Sequence, residues 1–324
     1  MANGKLNVSE LDFENIKSNL RSFLQSQTEF QDYNFDGSAL SILVDLLSYN
    51  THYLSYIANM STNEIFLDSA DVRNNIVSLA KMIGYTPSSV RAPRASVNIL
   101  VNNATGNSLT MNKATVFTST VDGASYQYVN NEDISITPEN GVYTFANVTL
   151  YEGTPITFKY TYDSNDTDQR FLIPSSNADT STLKVSVQTS STDSSSATYS
   201  LADGYSSLDG DSKVYFIEEV EDGKFRIYFG DGVTGKKLDN GNIIILEYIV
   251  TNTTDSNGAS TFTLSGNING FSDVTITTNS VSSGGAVAES NASVKFNAPL
   301  QYGAQDRAVT TTDYETLTKS IYPN

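Results

Sequence analysis

The sequence predicts an α+β protein: an N-terminal helical bundle, then a mainly antiparallel β region with an inserted β lobe, then the start of a further α/β domain. Three observations carry this. Apolar residues recur with a period near 3.6 through the first ninety positions, the period becomes 2 after Pro93, and from about Ala286 a run of small residues leads into a last helical pattern. The divisions expected are a helical region at 1–92, a β-rich domain at 93–285 with the insertion at about 102–212, and a segment at 286–324. That last segment reads as a linker and the opening helix of a truncated C-terminal domain.

Phe13, Ile16, Leu20 and Phe23 stand at helical spacing behind Ser9 and Asp12, which read as a capping pair. Asp36-Gly37-Ser38 makes a turn and an N-cap for the longest helix. In it Ile42, Leu46, Tyr49, Tyr53, Tyr56 and Met60 alternate in steps of four and three, and Leu43, Leu47, Leu54 and Ile57 form a second stripe alongside. So wide an apolar face needs cover from two sides, from helices of this chain or of another. The remaining face carries Asp45, Ser48, His52, Ser55 and Asn59. A third helix runs through Val72, Ile76, Leu79 and Ile83, closed by Gly84 as C-cap glycine and by Pro87.

Past Pro93, strands are expected at 96–101, 142–145, 156–162, 183–187 and 213–217, where β-branched and aromatic residues alternate between Asn, Asp, Gly and Ser clusters. Glu221-Asp-Gly-Lys224 is a hairpin signal, and Asn240-Gly241 before Ile243–Val250 is another. Thr189 to Ser200, nearly all Ser and Thr, reads as a mobile loop or connector. There is no repeat of solenoid or propeller type. At the end, Thr312 or Asp313 is placed to cap a helix running to Ser320, with Pro323 stopping it. No strand follows, so the terminus reads as a cut within a larger polypeptide.

At 324 residues the chain is long enough for two or three domains with cores of their own. Its 36 acidic and 19 basic residues give a formal net charge of -17. Binding to nucleic acid requires clustered Lys and Arg, and binding to an anionic membrane surface requires the same, so both are excluded as partners. There is no cysteine, which removes disulfides, thiolate nucleophiles and thiolate metal sites. The N-terminus lacks an apolar signal core, and no stretch approaches the roughly 20 apolar residues of a membrane span. A product made in the cytoplasm is expected. The Asn-x-Ser/Thr triplets at Asn103 and Asn147 carry no weight in so Asn- and Ser-rich a chain.

The search for chemistry finds no catalytic residue, cofactor site or metal site. His52 is the sole imidazole and falls among Asp45, Ser48 and Ser55, where a solvated or packing role fits better than general base. No Gly-x-Ser-x-Gly elbow accompanies it. Asp163-Ser-Asn-Asp-Thr-Asp168 starts like a calcium loop, but Asp168 stands where Gly belongs and Pro174 where Glu belongs. Asp203-Gly and Asp209-Gly-Asp211 read as turns. Gly230-Asp-Gly-Val-Thr-Gly-Lys236 resembles a phosphate loop only superficially, because Lys237 replaces the required Ser or Thr and β structure follows where a helix should. A glycine-rich connection is the better reading, with Asp231 bonding backbone amides and the glycines supplying positive φ.

Phe225-Arg-Ile-Tyr-Phe-Gly-Asp-Gly, the loop behind it, the strand ending at Tyr248, then Thr251 and Asn257-Gly258 resemble a signature of the baseplate J-like family. Its structural positions here are Phe229, Gly230, Asp231, Gly232, Gly235 and Tyr248. Gln305-Asp-Arg307-Ala-Val-Thr310 with Asp313 and Tyr314 resembles that family's second signature, which opens its next domain. Asp71-Val-Arg-Asn-Asn-Ile through Gly84-Tyr-Thr-Pro87 resembles, in particular, baseplate wedge subunits of T-even-type contractile-tailed phages. The likeness covers the helical region, 93–101 and about 213–324; 102–212 is not matched residue by residue. Leu238 departs from a frequent Pro and leaves the loop less rigid.

The resemblance implies a non-enzymatic virion structural protein of the tail baseplate. Its family partners are a second copy of the subunit and a different helical wedge protein, joined through the N-terminal helices, together with neighbouring baseplate subunits. It also implies a share in the inner ring that holds the tail before contraction. Ile42, Leu46, Tyr49, Tyr53 and Tyr56 are then the candidate interface, with intrachain core as the open alternative for the same stripe. A β-rich receptor-binding or adhesin protein of a virion is the competing function, favoured by the Tyr- and Ser/Thr-rich middle.

Overall fold

The computed structural model describes residues 12–27, 38–202, 208–305 and 307–321, arranged as two compact units. Ser9, Asp36, Gly37, Asp203 and Pro323, which figure in the sequence reading, lie outside the described residues. One unit spans 1–85 and 291–317 and is helical; the other holds the β structure and spans 86–290 together with 318–324.

In the helical unit, α1 (Phe13–Gln25) starts at Asp12, whose carboxylate accepts the Asn15 amide. α2 (Ala39–Asn63) starts at Ser38, whose hydroxyl accepts the Ser41 amide at 3.0 Å. Both caps satisfy a donor that the first helical turn leaves open. α3 (Arg73–Met82) ends in a Schellman turn: Gly84 at φ +78 lets its N–H reach Lys81 O and the Tyr85 N–H reach Ala80 O. Its apolar side, Ile76 and Ala80, buries with Ala70 and Tyr85 against Val294 and Ala298 of α4 (Asn291–Ala304). The stretch 286–324, read as a linker and one helix, thus carries two. The second is α5 (Thr311–Ile321).

In the β unit, β1 (Arg94–Val101) lies next to one edge of a six-stranded sheet, flanked antiparallel by β6 (Tyr143–Glu152) and by the edge strand β15 (Val274–Ser283). The sheet continues from β6 through β4 (Ala124–Val129) and β3 (Val116–Val121) to β14 (Thr263–Leu264). β2 (Leu109–Met111) and β5 (Ile134–Ile136) form a small two-stranded sheet beside it. Alternate residues of β1, Val97, Ile99 and Val101, bury with Phe117, Tyr128 and Phe145.

The second sheet has seven strands in the order β7-β13-β9-β10-β11-β12-β8. Their ranges are β7 (Thr154–Thr161), β8 (Phe171–Ile173), β9 (Ala178–Gln188), β10 (Ser196–Leu201), β11 (Val214–Glu219), β12 (Phe225–Phe229) and β13 (Ile243–Val250). It curls like a barrel, because the Tyr160 hydroxyl on β7 donates to Leu172 O on β8 at the opposite edge. β10 and β11 pair in parallel. β11 and β12 form the expected hairpin, with Asp222 and Gly223 at φ +60 and +66 in the turn.

Two expectations are corrected. The inserted β element has other bounds than 102–212: the second sheet is built from β7 to β13 alone, residues 154–250, while β3, β4 and β6 belong to the first sheet. β1 and β13 are each paired on both sides, and residues 102–212 provide at least one partner for both. The Ser/Thr tract is loop only to Ser195; from Ser196 it is a strand, because Tyr199 buries in the second core while its polar neighbours face out.

Candidate functional site

The long helix sorts its faces opposite to a helix that lies on its own chain's core. Ser41, Val44, Ser48, Asn59 and Asn63 are its buried residues, and α1 packs on that side. Ser48 Oγ donates to Val44 O at 2.7 Å, so a small polar residue buries there at little cost while allowing close helix approach. Lys17 of α1 pairs with Asp45 at 2.6 Å, and the Phe13 ring meets His52 edge-on with centroids 6.5 Å apart. His52 therefore packs in a helix seam.

Both apolar stripes point the other way. Ile42, Leu46 and Tyr49 keep 60, 61 and 63 % of their surface, and Tyr53, Tyr56, Met60, Leu43, Leu47, Leu54 and Ile57 are exposed with them. Helical periodicity marks this face as apolar, and the described residues of this chain leave it exposed. More than two turns of contiguous aromatic and aliphatic surface is far beyond the scattered exposed apolar residues of an ordinary surface.

The glycine loop after β12 is built by backbone contact. Asp231 Oδ1 accepts the Val233 and Thr234 amides, both at 2.9 Å, and these hydrogen bonds hold its carboxyl below the usual Asp range. Gly232 and Gly235 have φ of +94 and +88. Gly230 is required differently: a Cβ there would sit 2.2 Å from Gly235 C and O. A neighbouring turn locks onto the loop, with the Gly235 N–H donating to Asp209 O and the Lys236 N–H to Ser212 O. Phe229 and Tyr248 pack within the second core. Leu238, the departure from Pro, is buried there too. Although β12 and β13 are consecutive, they are not neighbours in the sheet, so the loop spans the end of the sheet rather than closing a hairpin.

Near the C-terminal end, Thr310 rather than Thr312 or Asp313 caps the last helix. Its Oγ1 accepts the Asp313 amide at 3.2 Å while Asp313 Oδ2 accepts the Thr310 and Val309 amides. This is a reciprocal capping box, and the two amides lower the Asp313 carboxyl. Tyr314 is exposed, and Arg307 donates to Gln305.

Acidic residues are committed to structure elsewhere as well. Asp163 and Asp166 accept the amides two residues on, as turn-forming side chains do. Two fully buried carboxylates escaped the sequence reading. Glu152 accepts from Thr251 Oγ1, Asn252 N and Asn252 Nδ2, tying the exit of β6 to the exit of β13. Asp179 accepts from Ala92 N, Ser181 N and Ser181 Oγ. A signal for the first was present: a charge followed by glycine at a strand end, and a Cβ on Gly153 would sit 2.3 Å from Val250 O. Among the described residues no helix is long and apolar enough to cross a membrane.

Residues 12–85 match the family model for the baseplate wedge protein gp6-like helical domain. Over the longer chain, the similarity is to baseplate wedge protein gp6 of Enterobacteria phage T4, 29% identical over 332 residues and covering 94% of this chain and 49% of that protein. The chain thus spans about half the length of this curated relative. Among solved structures, the six-fold symmetrised cryo-EM baseplate of the anti-feeding prophage is matched at TM-score 0.35 and 12% identity, over 98% of this chain and 66% of that one. That last likeness is too loose to bear on the fold.

Proposed function

We propose that this chain is a non-enzymatic structural subunit of a contractile phage tail baseplate wedge, located in the virion tail. It joins its partners, a second copy and a different helical wedge protein, through the apolar face of α2. The observation that carries the reading is the inverted sorting of that helix. Its polar side packs on α1, and Ile42, Leu46, Tyr49, Tyr53 and Tyr56 are left as an apolar face exposed in the chain alone. A partner helix laid along such a seam removes that surface from water, at about 25 cal/mol per Å2 of apolar area.

The gp6-like match over the same helices supports the wedge assignment. The β unit, with its glycine loop and clamped strand exits, is in this reading the part that contributes to the inner baseplate ring. Co-expression of the full chain with candidate baseplate wedge proteins tests the proposal. A discrete complex that Leu46→Glu with Tyr53→Glu abolishes is expected, and partner-indifferent behaviour of the unsubstituted chain would refute it.

A further inference from the structure

Five Asn-Gly pairs occur in the chain, and four of them, at Asn140, Asn240, Asn257 and Asn269, lie among the described residues. In such a pair the glycine nitrogen is free to approach the asparagine side-chain carbonyl carbon, because no Cβ hinders it. Three of the four glycine amides are held. The Gly241 N–H donates to Tyr162 O at 2.9 Å, that of Gly258 to Ser282 O at 2.7 Å, and that of Gly270 to Asn267 Oδ1 at 3.0 Å. Two of the asparagine side chains are held too: Asn240 Oδ1 accepts the Ser164 amide, and the Asn257 amide exchanges hydrogen bonds with the Gly285 backbone. Asn140 and Gly141 are exposed, and neither the Asn140 side chain nor the Gly141 N–H has a partner among the described residues. The contrast is sharpest with Asn269, because the two turns are alike. Glu139 and Val142 bracket one as Ile268 and Phe271 bracket the other, each through a reciprocal pair of backbone hydrogen bonds. Asn140 and Gly141 have φ of +52 and +77, and Asn269 and Gly270 have +52 and +93, so both are left-handed hairpin turns. The second turn alone has a side-chain latch on its glycine amide, and Ile268 anchors it in the core, whereas Glu139 and Val142 are exposed.

We infer that Asn140 is a site of spontaneous covalent modification, deamidation through attack by its own backbone, and that the fold protects Asn240, Asn257 and Asn269 from the same reaction. The Gly141 nitrogen loses its proton and bonds to Asn140 Cγ. The Cγ–Nδ2 bond breaks, and ammonia leaves with that proton, so that a five-membered imide remains. Water then opens the ring at either carbonyl to give aspartate or isoaspartate, with no oxidant or cofactor involved. The attack requires local opening of the turn, and at 139–142 that breaks the one bracketing pair and no latch. Either product adds a negative charge to the formal -17, beside Glu139. Isoaspartate also inserts a carbon into the backbone of the turn that feeds β6. The site lies in the β unit and involves no residue of α2, so it stands or falls separately from the helical contact.

The test is timed incubation of the full chain in warm, mildly alkaline buffer, folded and in urea, with peptide mapping by mass spectrometry at each time. The urea rates remove the effect of neighbouring sequence, so each site is read as its folded rate divided by its unfolded rate. Asn140 is expected to keep its unfolded rate to within about twofold. The other three should be slowed at least about fivefold, the worth of one net hydrogen bond. Asn267→Ala, at an exposed position, removes the latch on Gly270 and should speed Asn269 by about fivefold while leaving Asn140 unchanged. Three results would overturn the inference: Asn140 slowed as much as the others, any of the other three reacting as fast as Asn140, or Asn269 indifferent to the loss of Asn267. The comparison of folded and unfolded rates needs no variant, so it decides even where the substitution disturbs folding.

Discussion

Gly230 and Gly235 lie back to back in the loop after β12, so close that a Cβ on the first would overlap the second's carbonyl group at 2.2 Å. Gly232, two residues away, has φ +94 but its nearest contact for a Cβ is Lys237 Cβ at 3.7 Å. The two positions therefore separate packing from conformation. Gly230→Ala forces backbone apart and should cost about 3 kcal/mol, whereas Gly232→Ala carries only left-handed strain of about 1–2 kcal/mol. Urea unfolding of the β unit, followed by far-ultraviolet circular dichroism, should rank them in that order. The reverse order would mean that the loop relaxes freely.

Glu152 holds three donors from Thr251 and Asn252 at the point where the chain leaves one sheet and returns to it. Glu152→Gln keeps the shape but turns an amide toward groups that donate. A loss of about 1–3 kcal/mol is expected, since buried donors lose their acceptor. Glu152→Ala should lose more. Unchanged unfolding midpoints in both variants would show that the clamp is dispensable.

The β unit should also be sensitive to alkali. Burial raises the Tyr215 phenol to about 12 and shifts Tyr128, Tyr160, Tyr199 and Tyr248 upward from 10.0 as well. A raised folded-state value means that the folded chain holds its proton where the unfolded chain has released it. Stability is thus full below pH 10 and falls as pH rises from about 10 through about 12. Tyr215 alone accounts for about 2–3 kcal/mol of that loss. With no tryptophan in the chain, tyrosinate absorbance reports the titration directly. Ionisation of all the tyrosines near 10 without unfolding would contradict the burial.

The parts of the fold that were legible in the sequence are those set by local chemistry. The periodicity of α2, the Gly84 cap, the Asp222-Gly223 turn and the amide-binding role of Asp231 each follow from a few adjacent residues. Elements set by distant partners were not legible. Val274–Ser283 has little apolar signal and is a strand because β1 needs an antiparallel neighbour. Asn291–Ala304 contains Pro299, which argues locally against a helix, yet Val294 and Ala298 hold it on α3. The candidate contact stripe was visible as a pattern, but not that the opposite, polar side would take the intrachain contact. That depended on Lys17 meeting Asp45 and Phe13 meeting His52 across two helices.

The central claim is that the α2 stripe is an assembly face and its opposite side is the intrachain seam. The direct measurement is light scattering of the full chain co-purified with candidate wedge proteins, unsubstituted and as Leu46→Glu with Tyr53→Glu, alongside melting curves for both. A complex lost in the variant at an unchanged melting temperature is the expected result, because substitutions at exposed positions change stability by no more than about 0.5 kcal/mol. A variant that melts early while still assembling would place the stripe in the core instead, and would contradict the account.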